Sequence, residues 1–150
     1  MNYTLAELAL MTGYSARSLR KFYRQGILTG TKTAGRHVFS QEDVERFAAQ
    51  PFIQSGIQTK AAMRVRHFLE EEHTRQPSSC LIYDQPGEAR AGELNLTLLH
   101  YINRECGGEL AYTYFYDAKK DVGRFIFIGQ PAEIAAVLQR IGEGHMEETQ

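Results

Sequence analysis

The sequence predicts an α+β protein in two small parts, a helical part that includes a hairpin and then a βαββα part. Three observations support this prediction. Capping-box motifs begin short helices in the first half, strand-like runs lie in the second half, and a Pro/Ser-containing stretch separates the two. A chain of 150 residues has room for one average domain or two small ones.

Two short helices open the first half. Thr4-Leu5-Ala6-Glu7 has the form of a capping box, and Gly13 supplies a residue that ends the first helix. Ser15 can cap a second helix over residues 15–24, with Leu19 on its inward face. Two short helices around a turn of three to four residues that contains Gly are typical of a helix-turn-helix.

A hairpin and two further helices follow. Residues 29–39 predict a small hairpin or wing, because β-prone residues lie on both sides of turn residues that include glycine. Ser40-Gln41-Glu42-Asp43 is a second capping box, and the helix it begins should stop before Pro51. A longer helix is predicted over residues 58–74, after Gln54-Ser55-Gly56, with Leu69 in its inward apolar stripe. Residues 74–79 form a predicted linker.

The second half has the predicted order βαββα. The strands are expected at residues 79–83, 110–116 and 124–128, with a Pro/Gly loop over residues 85–92. Helices are expected at residues 93–105 and from Pro131 to about residue 141, the last with Leu138 facing inward. A tail from Glu143 is expected to fray. Three strands and two helices bury only a thin core, so this unit would gain by pairing with a second copy.

These elements predict three segments. Residues 1–54 form a winged helix-turn-helix domain, residues 55–76 a linking or dimerisation helix, and residues 77–143 a βαββα dimerisation or effector domain. Charge follows the same division. Residues 1–75 hold 11 Lys+Arg and 7 Asp+Glu, a net of +4, while residues 76–150 hold 6 and 11, a net of −5.

The charge is most one-sided between Ser15 and Phe39, where no acid occurs. The basic residues of this stretch are Arg17, Arg20, Lys21, Arg24, Lys32 and Arg36. A block of one sign is a candidate phosphate-binding face, and the alternative is an ordinary solvated helix surface.

Composition excludes several classes of protein. With 43% hydrophobic residues the chain is not disordered, and no apolar run approaches the roughly 18 residues of a membrane span. The N-terminus lacks the basic and apolar regions of a signal peptide. Two cysteines form no disulfide framework, so a reduced, cytoplasmic setting is expected.

Motifs for catalysis and metal binding are missing from the sequence. There is no phosphate-binding Gly-rich loop, Gly-x-Ser-x-Gly or His-Glu-x-x-His, so neither an enzyme nor a cofactor is predicted. The residues that could suggest a metal sensor lack the tight spacing of a metal site, and no metal is expected. These residues are His67, His73, Cys80 and Cys106.

Tyr112, Tyr114 and Tyr116 alternate along one strand and therefore share one face. They are candidate ligand-binding residues that would line an aromatic pocket or stack on bases. The alternative is that they pack under a helix or across a dimer interface, with their hydroxyls at the rim.

Several motifs of the first 50 residues occur in one ungapped register: Tyr3-Thr4-Leu5-Ala6-Glu7-Leu8-Ala9, Thr12-Gly13-Tyr14-Ser15, Leu19-Arg20, Gly26-Ile27-Leu28 and residues 35–44. Together they resemble the winged helix-turn-helix domain of the MerR family of bacterial transcriptional regulators. The wing, Gly35-Arg36-His37-Val38-Phe39, is more similar to that of excisionase-like relatives, which use the same fold in DNA bending and recombination.

The resemblance implies that the second helix lies in the major groove and that the wing rests on the flanking backbone. Arg17 and Arg20 would approach base edges or nearby phosphates. An arginine in this position can donate two hydrogen bonds to guanine, worth ~1–3 kcal/mol of discrimination. The other implied DNA-binding residues are Tyr14, Ser15, Lys21, Arg24, Lys32, Arg36 and His37.

The sequence therefore predicts a sequence-specific transcriptional regulator of the MerR type that binds double-stranded DNA as a homodimer. A small-molecule effector is left open, and no membrane partner is expected. In the alternative, the C-terminal part is a small-molecule or protein-binding module. The helix-turn-helix would then be an interaction element or an excisionase-like architectural element.

Overall fold

In the computed structural model, which describes residues 2–107 and 109–149, the chain divides into two compact units, residues 1–63 and 64–150. The elements are β1 (Asn2–Thr4), α1 (Leu5–Thr12), α2 (Ala16–Arg24), β2 (Thr31–Thr33), β3 (Arg36–Ser40), α3 (Gln41–Ala49), α4 (Pro51–Glu70), β4 (Ser79–Pro86), α5 (Glu88–Glu105), β5 (Ala111–Asp117), β6 (Val122–Gly129) and α6 (Pro131–Thr149). The predicted α+β class, with a helix-turn-helix and wing before a βαββα unit, is confirmed.

Local signals start and stop the first two helices as predicted. The Thr4 hydroxyl accepts a hydrogen bond from the Glu7 amide, and the Glu7 carboxylate accepts one from the Thr4 amide, which completes the capping box of α1. Gly13 ends α1 with a φ of 83°. The Ser15 hydroxyl accepts from the Ser18 amide and begins α2.

The wing is a two-residue hairpin between β2 and β3. Ala34 and Gly35 form its turn with φ values of 52° and 78°, the positive pair that tight hairpins favour. β1 pairs with the other edge of β3 and places Tyr3 opposite Phe39, so the sheet order is β1-β3-β2. β1 was not predicted, because three residues before a capping box carry too little pattern.

The α3 prediction is confirmed, whereas the α4 prediction is wrong in its bounds. α3 ends at Ala49, and α4 begins directly at Pro51, since proline is tolerated at the first helical position. α4 ends at Glu70 instead of near residue 74. Its buried residues are Ile53, Ile57 and Ala61, whereas Leu69, predicted to face inward, is 76% exposed.

The core of unit 1 lies among α1, α2, α3, the sheet and the start of α4. Its fully buried side chains include Tyr3, Leu8, Leu19, Leu28, Phe39, Phe47 and Ile53. The loop before the wing is tied to the end of α3, because Gln50 Nε2 donates to the Ile27 carbonyl at 2.7 Å. Gly30 is required in this loop, since a Cβ there would lie 2.5 Å from the Phe39 ring.

Unit 2 contains an antiparallel sheet in the order β4-β6-β5. β4 is longer than predicted, and α5 begins at Glu88, so the predicted loop over residues 85–92 is wrong. Pro86 still pairs with Val122, since the missing N–H of proline is tolerated on an edge strand. Gly87, with a φ of 87°, then occupies the N-cap of α5.

α5 packs on the sheet face that carries the buried Phe125 and Phe127, and it contributes Leu98 and Leu99 to this core. α6 continues to Thr149 instead of ending near residue 141, and fraying of the tail from Glu143 stays a prediction. Leu138 is 48% exposed although it was predicted to face inward. In the part of the chain that the structure describes, each helix is too short or too polar to cross a membrane.

Candidate nucleic-acid interface

α2 presents one basic face to solvent. Its basic residues follow the i, i+3, i+4, i+7 spacing that places side chains on one side of a helix. These residues are Arg17, Arg20, Lys21 and Arg24. All four side chains are exposed, and none pairs with a carboxylate among the described residues. The opposite side is anchored by Leu19, which is fully buried. An uncompensated row of cations of this kind attracts a polyanion.

The wing adds further cations on the same unit. Lys32 and Arg36 are both exposed and lie on neighbouring strands beside the Ala34-Gly35 turn. The His37 side chain packs against α2 instead, because its ring meets the Tyr23 ring edge-on with centroids 4.6 Å apart. Its Nδ1 atom is buried and has no hydrogen-bond partner in the described part of the chain. The geometry therefore makes Lys32 and Arg36 the accessible wing cations and His37 a packing residue.

Tyr14 packs where the two helices of the motif meet. Its ring lies edge-on to Phe22, with centroids 5.3 Å apart, and 6.4 Å from Phe47. Its hydroxyl sits against Gly56 of α4, where an added Cβ would overlap the hydroxyl oxygen unless Tyr14 shifted. Burial raises the pKa of the Tyr14 phenol, so the group stays neutral and able to donate a hydrogen bond at physiological pH.

Lys60 is a cation beside Tyr14 that was not predicted from the sequence. Its ammonium Nζ lies 5.0 Å from the centroid of the Tyr14 ring, which is within range of a cation–π contact. A signal for it was present, because the sequence holds no acid between Glu45 and Glu70. α4 therefore contains no acidic residue before Glu70, in contrast to the acidic first turn of α3.

Ser15 is the N-cap of α2. Its hydroxyl accepts from the Ser18 amide at 3.0 Å and donates to the Ser18 hydroxyl at 3.1 Å. Both interactions fix the first turn of α2, and the Ser15 side chain remains exposed at the N-terminus of that helix.

The three tyrosines of β5 differ in their surroundings. Tyr112 is fully buried, and its hydroxyl donates to Asn95 Oδ1 at 2.5 Å. Tyr114 packs on Phe125 with centroids 4.8 Å apart. Tyr116 donates to Asp121 Oδ1, and this hydrogen bond raises the pKa of Tyr116 to about 12. Packing under a helix, the alternative interpretation, is what the structure shows for Tyr112.

The candidate metal ligands are also separated. Among residues 2–107 and 109–149, no three His, Cys, Asp or Glu side chains come together as a metal site would require. Cys80 and Cys106 are free thiols, and burial raises the pKa of both.

Comparison with known proteins gives a family match over the first part of the chain. Residues 3–69 match the family model described as MerR HTH family regulatory protein. This segment is similar to the helix-turn-helix domain of that family. The match confirms the resemblance and extends it past the first 50 residues through most of α4. It covers less than half of the 150-residue chain and supports a role in the regulation of transcription. No curated protein and no solved structure matches the chain.

Proposed function

We propose that the chain is a transcriptional regulator, not an enzyme, that binds specific double-stranded DNA sequences in the cytoplasm as a homodimer. The observation that carries this proposal is the exposed basic face of α2 in a MerR-type domain. Four cations on one helical face, without acids between Ser15 and Phe39, would have a polyanion as their natural partner.

The face can read bases as well as bind phosphates. Arg17 and Arg20 lie one helical turn apart near the start of α2, the end that enters the major groove in helix-turn-helix proteins. A guanidinium there can donate two hydrogen bonds to guanine O6 and N7. Lys21 and Arg24 continue the same face toward the C-terminus of α2, where they would bind flanking phosphates without reading sequence.

The wing and the middle of α4 would widen the contact with the DNA backbone. Lys32 and Arg36 are exposed on the hairpin. Tyr14 offers a neutral phenol donor, and Lys60 places a cation over the ring of that residue. Phosphate contacts at both sides of α2 would fix its orientation in the groove.

A homodimer follows from the way such domains read DNA. One helix-turn-helix contacts a short half-site, and two copies related by a two-fold axis match a palindromic site. Unit 2 supports dimerisation, since large apolar side chains remain exposed on it, with Ile82 at 50% and Leu138 at 48%. Light scattering after size-exclusion chromatography tests this part: a mass of one chain would contradict it.

Arg20→Ala tests the DNA-reading role. On a fragment selected from random DNA, the variant should lose roughly 5- to 150-fold in affinity, the equivalent of ~1–3 kcal/mol. Arg46→Ala is the matched control, because Arg46 is an exposed arginine of the same unit that pairs with Glu42 and lies on α3. Fluorescence anisotropy at physiological salt would contradict the proposal if both variants bound the selected DNA as tightly as the wild type.

Unit 2 favours a second candidate function, a small-molecule binding module. A cavity of about 1080 Å³ lies within this unit. In that case the helix-turn-helix could be an interaction element or an architectural element that bends DNA. A gel assay with circularly permuted fragments distinguishes bending from simple occupancy of a site.

A further inference from the structure

The cavity of unit 2, about 1080 Å³, is not used by the DNA-binding surface. Its walls are the end of α4, the segment that follows it, the end of β6 and the start of α6. Phe68, Ala111 and Ile128 give the cavity an apolar portion. Its charged lining contains both signs, which restricts the chemistry of the molecule that can occupy it.

Arg64 is the half-buried cation of this lining. Its Nη1 donates to the Tyr112 carbonyl at 3.2 Å and to the Thr113 hydroxyl at 3.0 Å. Both acceptors are neutral, and no carboxylate pairs with Arg64 in the described part of the chain. A guanidinium carries five N–H donors, so Arg64 retains donors for a carboxylate. Burial also lowers the pKa of Arg64, as expected for a charge that lacks a counter-ion.

Four glutamates line the same cavity: Glu71, Glu72, Glu109 and Glu133. Two of them are engaged, since Glu133 accepts from the Gln130 amide and Glu72 accepts from the Thr74 hydroxyl. The side-chain carboxylates of Glu71 and Glu109 have no hydrogen-bond or ion-pair partner among the described residues. A simple anion would be repelled by these carboxylates, and a simple cation would leave Arg64 without a counter-ion. A molecule with both charges satisfies both groups.

We propose that this cavity binds a small molecule that carries both a carboxylate and an ammonium group, the chemistry of amino acids and short peptides. Arg64 holds the carboxylate, the unengaged glutamates face the ammonium group, and the apolar portion at Phe68 and Ile128 receives a side chain. Binding itself is independent of DNA. Only its consequence, the control of DNA binding by such an effector, rests on the proposed function.

Thermal unfolding of the full chain tests the proposal, with the standard amino acids and a set of dipeptides as probes. At least one probe should give a saturable rise in Tm, on the order of 10 °C at a concentration of 100 Kd. The two probe sets separate amino acids from peptides. For the probe that binds, its carboxamide analogue and its deaminated analogue should each bind at least about tenfold more weakly, since each lacks one charge.

Two variants assign the site. Arg64→Gln should weaken binding of the active probe at least about tenfold, and Arg66→Gln, at an exposed arginine outside the cavity, should not. Glu109→Gln changes an exposed residue and tests the ammonium contact if Arg64→Gln fails to fold. The proposal is overturned if no probe raises Tm, or if the folded variants bind as the wild type does. DNA binding measured without any probe reports separately on the proposed function.

Discussion

The imidazole ring of His37 on the wing meets the phenol ring of Tyr23 on α2 edge-on, with centroids 4.6 Å apart and planes at 68°. His37 also stacks on Phe39, which is fully buried in unit 1. These contacts join the exposed basic helix to the exposed basic hairpin through a chain of rings. The spacing between the two basic surfaces is therefore set by side-chain packing.

Removing the ring of Tyr23 should loosen the wing. Tyr23→Leu is expected to lower DNA affinity about 5- to 10-fold and to reduce the free energy of unfolding by about 1 kcal/mol, because an aromatic pair is lost. Tyr23→Phe keeps the ring and should behave as the wild type. Anisotropy and urea unfolding measure both effects. Wild-type affinity in Tyr23→Leu would show that the contact does not position the wing.

DNA binding should depend strongly on salt. If four to six cations neutralise phosphates in one half-site, log affinity should fall with log salt at a slope of roughly −4 to −5. Lys21→Gln removes one exposed cation of α2 and should reduce the slope by about 0.9. Arg46→Gln, on α3, should leave it unchanged. A slope near zero for the wild type would contradict phosphate binding by this face.

The contact between Tyr14 and Gly56 predicts an unusual pair of mutational effects. An exposed helix position gains about 1 kcal/mol when Gly becomes Ala, but here a Cβ would overlap the Tyr14 hydroxyl. Gly56→Ala should therefore lower the free energy of unfolding by about 1–3 kcal/mol. In a Tyr14→Phe background the hydroxyl is gone, and the same substitution should cost less. Equal costs in both backgrounds, measured by urea unfolding, would mean that the two residues do not interact.

The ion pair between Asp84 and Arg124 should give unit 2 a pH-dependent contribution to stability. Arg124 donates two hydrogen bonds to Asp84, at 2.8 and 2.9 Å, and these hold the pKa of the Asp84 carboxyl below its ordinary value of 3.8. A lowered folded-state pKa gives stability that is present above about 3.8 and is lost as the pH falls through the folded value.

Asp84→Asn should reduce the free energy of unfolding near neutral pH by less than ~1 kcal/mol, because both side chains are partly exposed. The difference from the wild type should shrink as the pH falls below 3.8. Urea unfolding across this range measures it. A difference that stayed constant with pH would show that the charge of Asp84 is not responsible.

Short-range signals predicted much of the first unit. The capping boxes at Thr4 and Ser40 fixed the starts of α1 and α3, because both motifs act over four residues. The spacing of the basic residues in α2 identified its exposed face for the same reason. The long helix was less accessible to prediction, since Pro51 both ends one helix and begins the next.

Contacts between distant residues could not be predicted. Apolar spacing suggested that Leu69 and Leu138 face inward, but periodicity does not show whether a neighbouring element covers them, and both are exposed. Tyr14 and Lys60 are far apart in the sequence, as are Arg64 and Thr113. Their proximity depends on how α4 packs, which no local pattern encodes.

Selection of bound oligonucleotides from a random double-stranded pool tests the central claim most directly. The wild-type chain at physiological salt should enrich an inverted repeat, the arrangement that a two-fold dimer of helix-turn-helix domains requires. Arg20→Ala should lose preference at the base pairs that the wild type specifies, while Arg46→Ala should enrich the same repeat. Failure of the wild type to enrich any sequence above nonspecific binding would contradict the account.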